Sequence, residues 1–286
     1  MKKMTLFVAL FAAITLSAQE PEWVAKIEIA GQQITSLNCQ NLHELLNATQ
    51  YDKKKEMSVT FDREKSVLLF RNADIRWYDV QNRPFLNVDE NLTIVAEGDN
   101  TVEMESAKYF IVAKSDVTIQ AANPDDDKLI AYGISWGQVA EDAPYSGIFV
   151  FLDGNVNLTI NSINFCAHYF VQGIVGANEA TNKVKFDKTS FYAAVSNEVT
   201  KEINEINLIG CEIKRPAGAA FSPELKGFAK DGKLVAGEKY FLISPISEAI
   251  DNPMVNGSQN GKFFRDGQLY LMYEGRMYDV RGARVE

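Results

Sequence analysis

Apolar and polar residues alternate along this chain at a period of two, in short bursts separated by turns. One burst has an apolar residue, one intervening residue and a second apolar residue, with another such pair five positions after the first. It reads Leu68, Phe70, Ala73 and Ile75, then more weakly Leu92 and Ile94, then Val117 and Ile119. Clearer copies follow as Leu158, Ile160, Ile163, Phe165, as Val184, Phe186, Thr189, Phe191, and as Ile206, Leu208, Cys211, Ile213. A period of two puts successive side chains on opposite faces of an extended chain, so each pair predicts a short strand. The copies start 24, 25, 41, 26 and 22 residues apart, and the long interval contains the polar, turn-rich segment 123–146, which reads as an insertion. Most copies are preceded by another apolar run, as in PFLNV, YFIVA, GIFVFL and QGIVG. Each unit therefore supplies two or three strands.

A unit of about two dozen residues cannot bury its own apolar face, and a fixed repeat of that length resolves the problem by stacking. The expected fold is all-β, a parallel β-helix, with the right hand that parallel crossovers take. Six or seven coils spaced by ~4.8 Å would make a rod on the order of 30 Å long. Leucine-rich repeats have similar lengths, but their LxxLxLxxN spacing and helical half are missing here. A β-sandwich of unrelated hairpins is the competing architecture. The segment 41–49, NLHELLNAT, predicts a short helix with Leu42, Leu45 and Leu46 on one face, placed to cap the open end of the solenoid. Near the C-terminus QLYLMY and RMYDV alternate and are joined at Glu274-Gly275, with a second turn at Arg281-Gly282 before ARVE, which predicts a small antiparallel meander. The organisation expected is a leader at 1–18, an N-terminal strand and cap region at 19–66, coils at 67–216, terminal strands and a linker at 217–247, and a tail at 248–286.

The leader changes the picture of charge and compartment. Lys2 and Lys3 precede an apolar run from Leu6 to Leu16, and the small residues Ser17 and Ala18 follow, which is the pattern of a secretory signal peptide. That run is too short for a membrane-spanning helix, which needs about 20 residues. No Cys stands near the cleavage point for lipid attachment. Losing Lys2 and Lys3 takes the formal net charge from −9 to −11, so nucleic acid and anionic membrane surfaces are poor partners. Cys39, Cys166 and Cys211 are odd in number and contain no CxxC pair, and Cys166 and Cys211 sit in apolar strings, so buried free thiols are expected. With two His residues in the chain there is little from which to build a zinc site.

Two stretches resemble known families. AKIEIAGQQITSLN, SVTFDREKSVLLFRNADI and DENLTIVAEGDNTV resemble, in that order, the opening of a group of exported bacterial β-helix domains of the carbohydrate-binding type, over about residues 25–215. That resemblance implies a β-helix and a glycan ligand, and fixes no binding residue. From Glu248 the tail is similar to the C-terminal sorting tails of exported Bacteroidetes proteins, through Asp266, Gly267, Gln268, Leu269, Tyr270, Gly275, Tyr278, Val280, Gly282 and Val285. This likeness implies type IX secretion and display at the cell surface or beyond, with the periplasm crossed in transit.

Candidate chemistry is sparse. Gly133-Ile134-Ser135-Trp136-Gly137 has the GxSxG spacing of a nucleophile elbow, but no amphipathic helix follows it and the only downstream His is His168, inside a repeat. Asp125, Asp126 and Asp127 form an acidic run with the oxygen chemistry of a Ca²⁺ site, although a solvated turn is the commoner fate of such a run. A glycosidase would need two facing carboxylates, and no pair stands out among the 38 acidic residues. Aromatic residues outside the strand pattern remain. Trp77, Tyr78, Trp136 and Tyr145 are the candidates for stacking against sugar rings, with core packing or loop anchoring as the alternative. The expected function is therefore a non-catalytic surface protein that binds glycan or another surface partner and needs no cofactor. A β-helix polysaccharide lyase or hydrolase, and a structural surface protein with no small ligand, are the alternatives.

Overall fold

A computed structural model describes residues 20–50, 55–78, 81, 83–105, 108–124, 126–134, 147–236 and 240–246, together with strands Gly261–Arg265, Gln268–Tyr273 and Arg276–Asp279. The chain winds into a β-solenoid of about five turns with three strands per turn, each strand stacking on its equivalents into one of three sheets. The apolar runs that precede each repeat form the first sheet, in which Pro84–Val88, Tyr109–Ala113, Ile148–Leu152, Gln172–Gly176 and Thr200–Lys201 pair in parallel. The leading pair of each repeat forms the second, with Val67–Arg71, Leu92–Glu97, Val117–Ala121, Asn157–Asn161, Lys183–Asp187 and Glu205–Ile209 parallel. The trailing pair forms the third, with Ala73–Tyr78, Asp99–Glu105, Lys128–Ile134, Asn164–Phe170 and Ser190–Val195 parallel.

Register follows the repeat. Val117 lies between Leu92 and Leu158, and Ile119 between Ile94 and Ile160, so equivalent side chains stack along the axis. The apolar positions named above are buried through the copy at Val184. Only in the last copy do Leu208 and Ile213 remain partly buried, because no further turn covers them. Inside the first sheet, Phe85, Phe110 and Phe149 stack face to face at 5.6 and 5.4 Å. The next strand carries Gly173 there, whose backbone packs so closely on the Val199 carbonyl that a Cβ would collide with it. Phe170 fills the space, with its ring 5.2 Å from that of Phe149.

At the corners the backbone leaves the ladders, and buried polar side chains take over its hydrogen bonds, as burial demands. Asn100 accepts from the Ala73 N–H at 3.0 Å, and the Thr189 hydroxyl donates to the Ile163 carbonyl at 2.6 Å. Asp127 is buried as well. Its carboxylate accepts from the Gly98 N–H at 2.7 Å, from the Asn123 N–H at 2.5 Å and from Asn123 Nδ2 at 3.2 Å, tying one turn to the next.

Both ends close with antiparallel strands, which is why five turns form where six or seven were expected. Val24–Ile29 runs antiparallel to Pro84–Val88 and to Gln32–Thr35, and Ser58–Asp62 runs antiparallel to Val67–Arg71. The N-terminal helix is the single turn Leu42–Leu45, with Leu42 and Leu46 buried and Leu45 44% exposed. At the other end Phe241–Pro245 inserts antiparallel between Ser190–Val195 and Cys211–Arg215, so the last strand of the third sheet does not stack on its predecessor. A small sheet of Ala220–Ser222, Gly227–Lys230 and Lys233–Leu234 adjoins this end, its Phe228 buried 4.8 Å from Phe241. The C-terminal meander is Gly261–Arg265, Gln268–Tyr273 and Arg276–Asp279, so its third strand precedes QLYLMY in the chain. The leader, and ARVE, lie outside the described residues.

Candidate binding face

Strand alternation turns one row of side chains of the third sheet inward and the other outward. Phe165 and Phe191 point in, so Cys166 and Tyr192 point out and face each other in register. Cys166 is therefore a partly exposed thiol on the outer face, whereas Cys39 and Cys211 are buried, and all three are free. Burial pushes the Cys166 thiol up to about 11, against a smaller opposing effect of Lys128.

The outer face divides into two regions. At one end lies a shallow groove of about 360 Å³, lined by Asp74, Arg76, Asp99, Glu103, Lys128 and Tyr132 among others. Its cations are paired across strands, Arg76 Nε to Glu103 Oε2 at 3.0 Å and Lys128 Nζ to Asp99 Oδ1 at 3.2 Å. At Tyr132 the groove meets an aromatic ladder that runs along the axis. Tyr132 stacks on His168 at 4.9 Å, His168 packs on Tyr192 at 4.9 Å, and Tyr192 stacks on Tyr240 at 5.3 Å, with the Arg215 guanidinium 4.7 Å from the Tyr240 ring centre. Burial lowers the pKa of His168 and raises that of Tyr132, so both are held in their neutral forms.

Rings stacked at 18° to 35° spend their faces on one another and turn mainly edges to solvent. Tyr169 also lies stacked against Tyr132, at 29° and a longer distance, but it is the more exposed ring. A β-bulge shifts the register between His168 and Phe170 and holds Tyr169 at φ 62°, a left-handed conformation rare for a bulky residue. Its side chain is thereby turned out, 50% exposed, with its ring 6.2 Å from Tyr132 and 6.0 Å from His168. The described residues stop at Ile134, two residues beyond Tyr132, and resume at Gly147, whose carbonyl accepts from the Val171 N–H at 2.9 Å.

Of the four aromatic candidates, Tyr78 stands on this outer face, 56% exposed and in register with Glu105. Trp77, one residue earlier, points the other way and packs edge-on against Phe85 at 5.6 Å. Trp136 and Tyr145 lie outside the described residues, as do Asp125, Ser135 and the tail residues Asp266, Gly267, Gly275, Val280, Gly282 and Val285. Gln268, Leu269 and Tyr270 lie in the middle strand of the meander and Tyr278 in the last. Asp126 is exposed while Asp127 is turned inward, and among the described residues no three His, Cys, Asp or Glu side chains gather to hold a metal ion. The segment 123–146, read as an insertion, contains the regular strand Lys128–Ile134, in whose inward row Leu129 is followed by the small Ala131 and Gly133, which weakens the apolar signal.

Sequence reasoning passed over Tyr169, Tyr192 and Tyr240. Aligning the copies on Phe165 and Phe191 would have placed Cys166 beside Tyr192, but the bulge that exposes Tyr169 has no sequence signature. Among the described residues no helix is long and apolar enough to cross a membrane. The chain matches no protein-family model, no curated protein and no solved structure.

Proposed function

We propose that the protein is an exported, surface-displayed and non-catalytic β-helix that binds glycan through the outer face of its third sheet. The observation that supports this most is Tyr169, held in a costly backbone conformation beside Tyr132 and His168, where a flat ring can pack against the C–H face of a sugar. The groove next to it offers paired carboxylates and cations as hydrogen-bonding groups for hydroxyls. A rigid rod suits an extended polymer, because the face continues along the axis from turn to turn. The leader at 1–18 carries the proposal of export, and the tail from Glu248 that of type IX sorting; removing 248–286 should then retain the protein in the periplasm.

The decisive variant is Tyr169→Gly. Glycine adopts φ 62° without strain, so the variant should melt no lower than the parent chain, yet glycan affinity should fall about tenfold, the worth of one aromatic contact. Glycan-array binding that survives Tyr169→Gly and Tyr132→Ala would remove this face from the proposal. Release of new reducing ends or unsaturated products from a polysaccharide would replace the binding reading with a lyase or hydrolase.

A further inference from the structure

We propose that the glycan taken by this face carries positively charged amino groups, as an amino-sugar polymer does. This rests on the binding reading above and adds the charge class of the ligand. On the groove and its rim stand Asp74, Asp99, Glu103 and Glu105 against Arg76 and Lys128, an excess of two negative charges. Both cations are already committed, Arg76 to Glu103 and Lys128 to Asp99. An anionic sugar would have to break one of those pairs and then face the remaining carboxylates. Asp74 is half-buried at the groove wall, where the Thr49 hydroxyl is within 3.4 Å of its carboxylate, and among the described residues no cation pairs with it or with Glu105.

The aromatic side of the face agrees with the charge. The ladder core holds His168, whose pKa burial lowers, so it charges less readily than a free imidazole and repels an ammonium group less. Arg215, at the far end, is occupied over the Tyr240 ring. Tyr169, half exposed, can contribute both C–H packing and the attraction of a cation to its ring. An amino-sugar polymer would thus lay one ring on Tyr169 and bring the ammonium groups of further rings along the axis to the Glu103 row and, three strands away, to Asp74, whereas the N-acetylated form of the same polymer offers the rings without the charge.

The test uses the full mature chain and three soluble hexamers: glucosamine, N-acetylglucosamine and β-1,4-linked glucose, at mildly acidic pH so that the amine is protonated. The glucosamine hexamer should bind roughly fivefold tighter or more than the other two, the size of one exposed charge contact, and the advantage should shrink as salt is raised. Asp74→Asn should weaken the glucosamine hexamer more than it weakens the two uncharged hexamers, and so reduce that advantage. Tyr169→Gly should weaken all three. Equal binding of the three hexamers, or an advantage untouched by both Asp74→Asn and salt, overturns the charge assignment and leaves glycan binding standing. Binding of none of them, or of oligolysine alone, overturns both.

Discussion

The two sides of the third sheet are made from the same five parallel strands and solve opposite problems. Inward, Phe165 and Phe191 join Phe149 and Phe170 in a dry aromatic cluster with centroids 4.7 to 6.3 Å apart. Outward, Tyr132, His168, Tyr192 and Tyr240 make a ladder of nearly the same spacing, but each member carries a polar atom, and that of Tyr240 meets Arg215. Register pairs Phe165 with Phe191 and Tyr132 with His168, whereas His168 reaches Tyr192 diagonally and Tyr240 enters beside the antiparallel strand Phe241–Pro245. What differs is the medium on the far side, and hence what a lost ring costs.

Three measurements would break or sharpen that comparison. Phe149→Ala opens a void at the centre of the inner cluster and should cost about 3–5 kcal/mol, read as a large fall in the denaturation midpoint. Tyr192→Ala on the outer side should cost less, about 1 kcal/mol, because water refills the space left beside His168 and Tyr240. Equal losses at the two positions would mean that the outer ladder is part of the core in energetic terms. The smallest effect is a pH slope. His168 has a folded pKa below its ordinary 6.5 because burial disfavours the cation, so the unfolded chain binds its proton more readily. The resulting contribution to stability is present above pH 6.5 and is lost as pH falls from there through the folded value. Replacing His168 with Gln should flatten the slope in that window, and an unchanged slope would place the imidazole in solvent.

The bulge at Tyr169 separates the site from the scaffold. Elsewhere the outer residues follow from alternation, but here one extra residue gives the chain a strained turn and an exposed ring. Strain persists only where its surroundings enforce it, and His168 and Phe170 on either side are held by the outer ladder and the inner cluster.

Much of the scaffold was legible in the residues. Leu158, Ile160, Ile163 and Phe165 announce their burial because period-two alternation is local and needs no knowledge of the rest of the chain. The ends were less legible. Cys211 and Ile213 carry the repeat pattern, yet Phe241–Pro245 intervenes between their strand and the previous turn, since an antiparallel strand from downstream can satisfy the same ladder. Asp127 reads as a surface carboxylate and is a buried corner tie, because the Gly98 N–H of the previous turn joins the two local donors of Asn123 only after stacking. Trp77 and Tyr78 are adjacent in the chain and fall on opposite sides of the sheet.

By itself, then, the sequence determined the strand period, the repeat length and the inward face of each turn, all of which arise from neighbours within a few residues. The tertiary structure decided which antiparallel strands close the ends, which outward aromatic side chains line up along the axis, and where a bulge lifts Tyr169 out of line. Those outcomes depend on pairing between residues about two dozen or more positions apart, where register rather than composition chooses the partner.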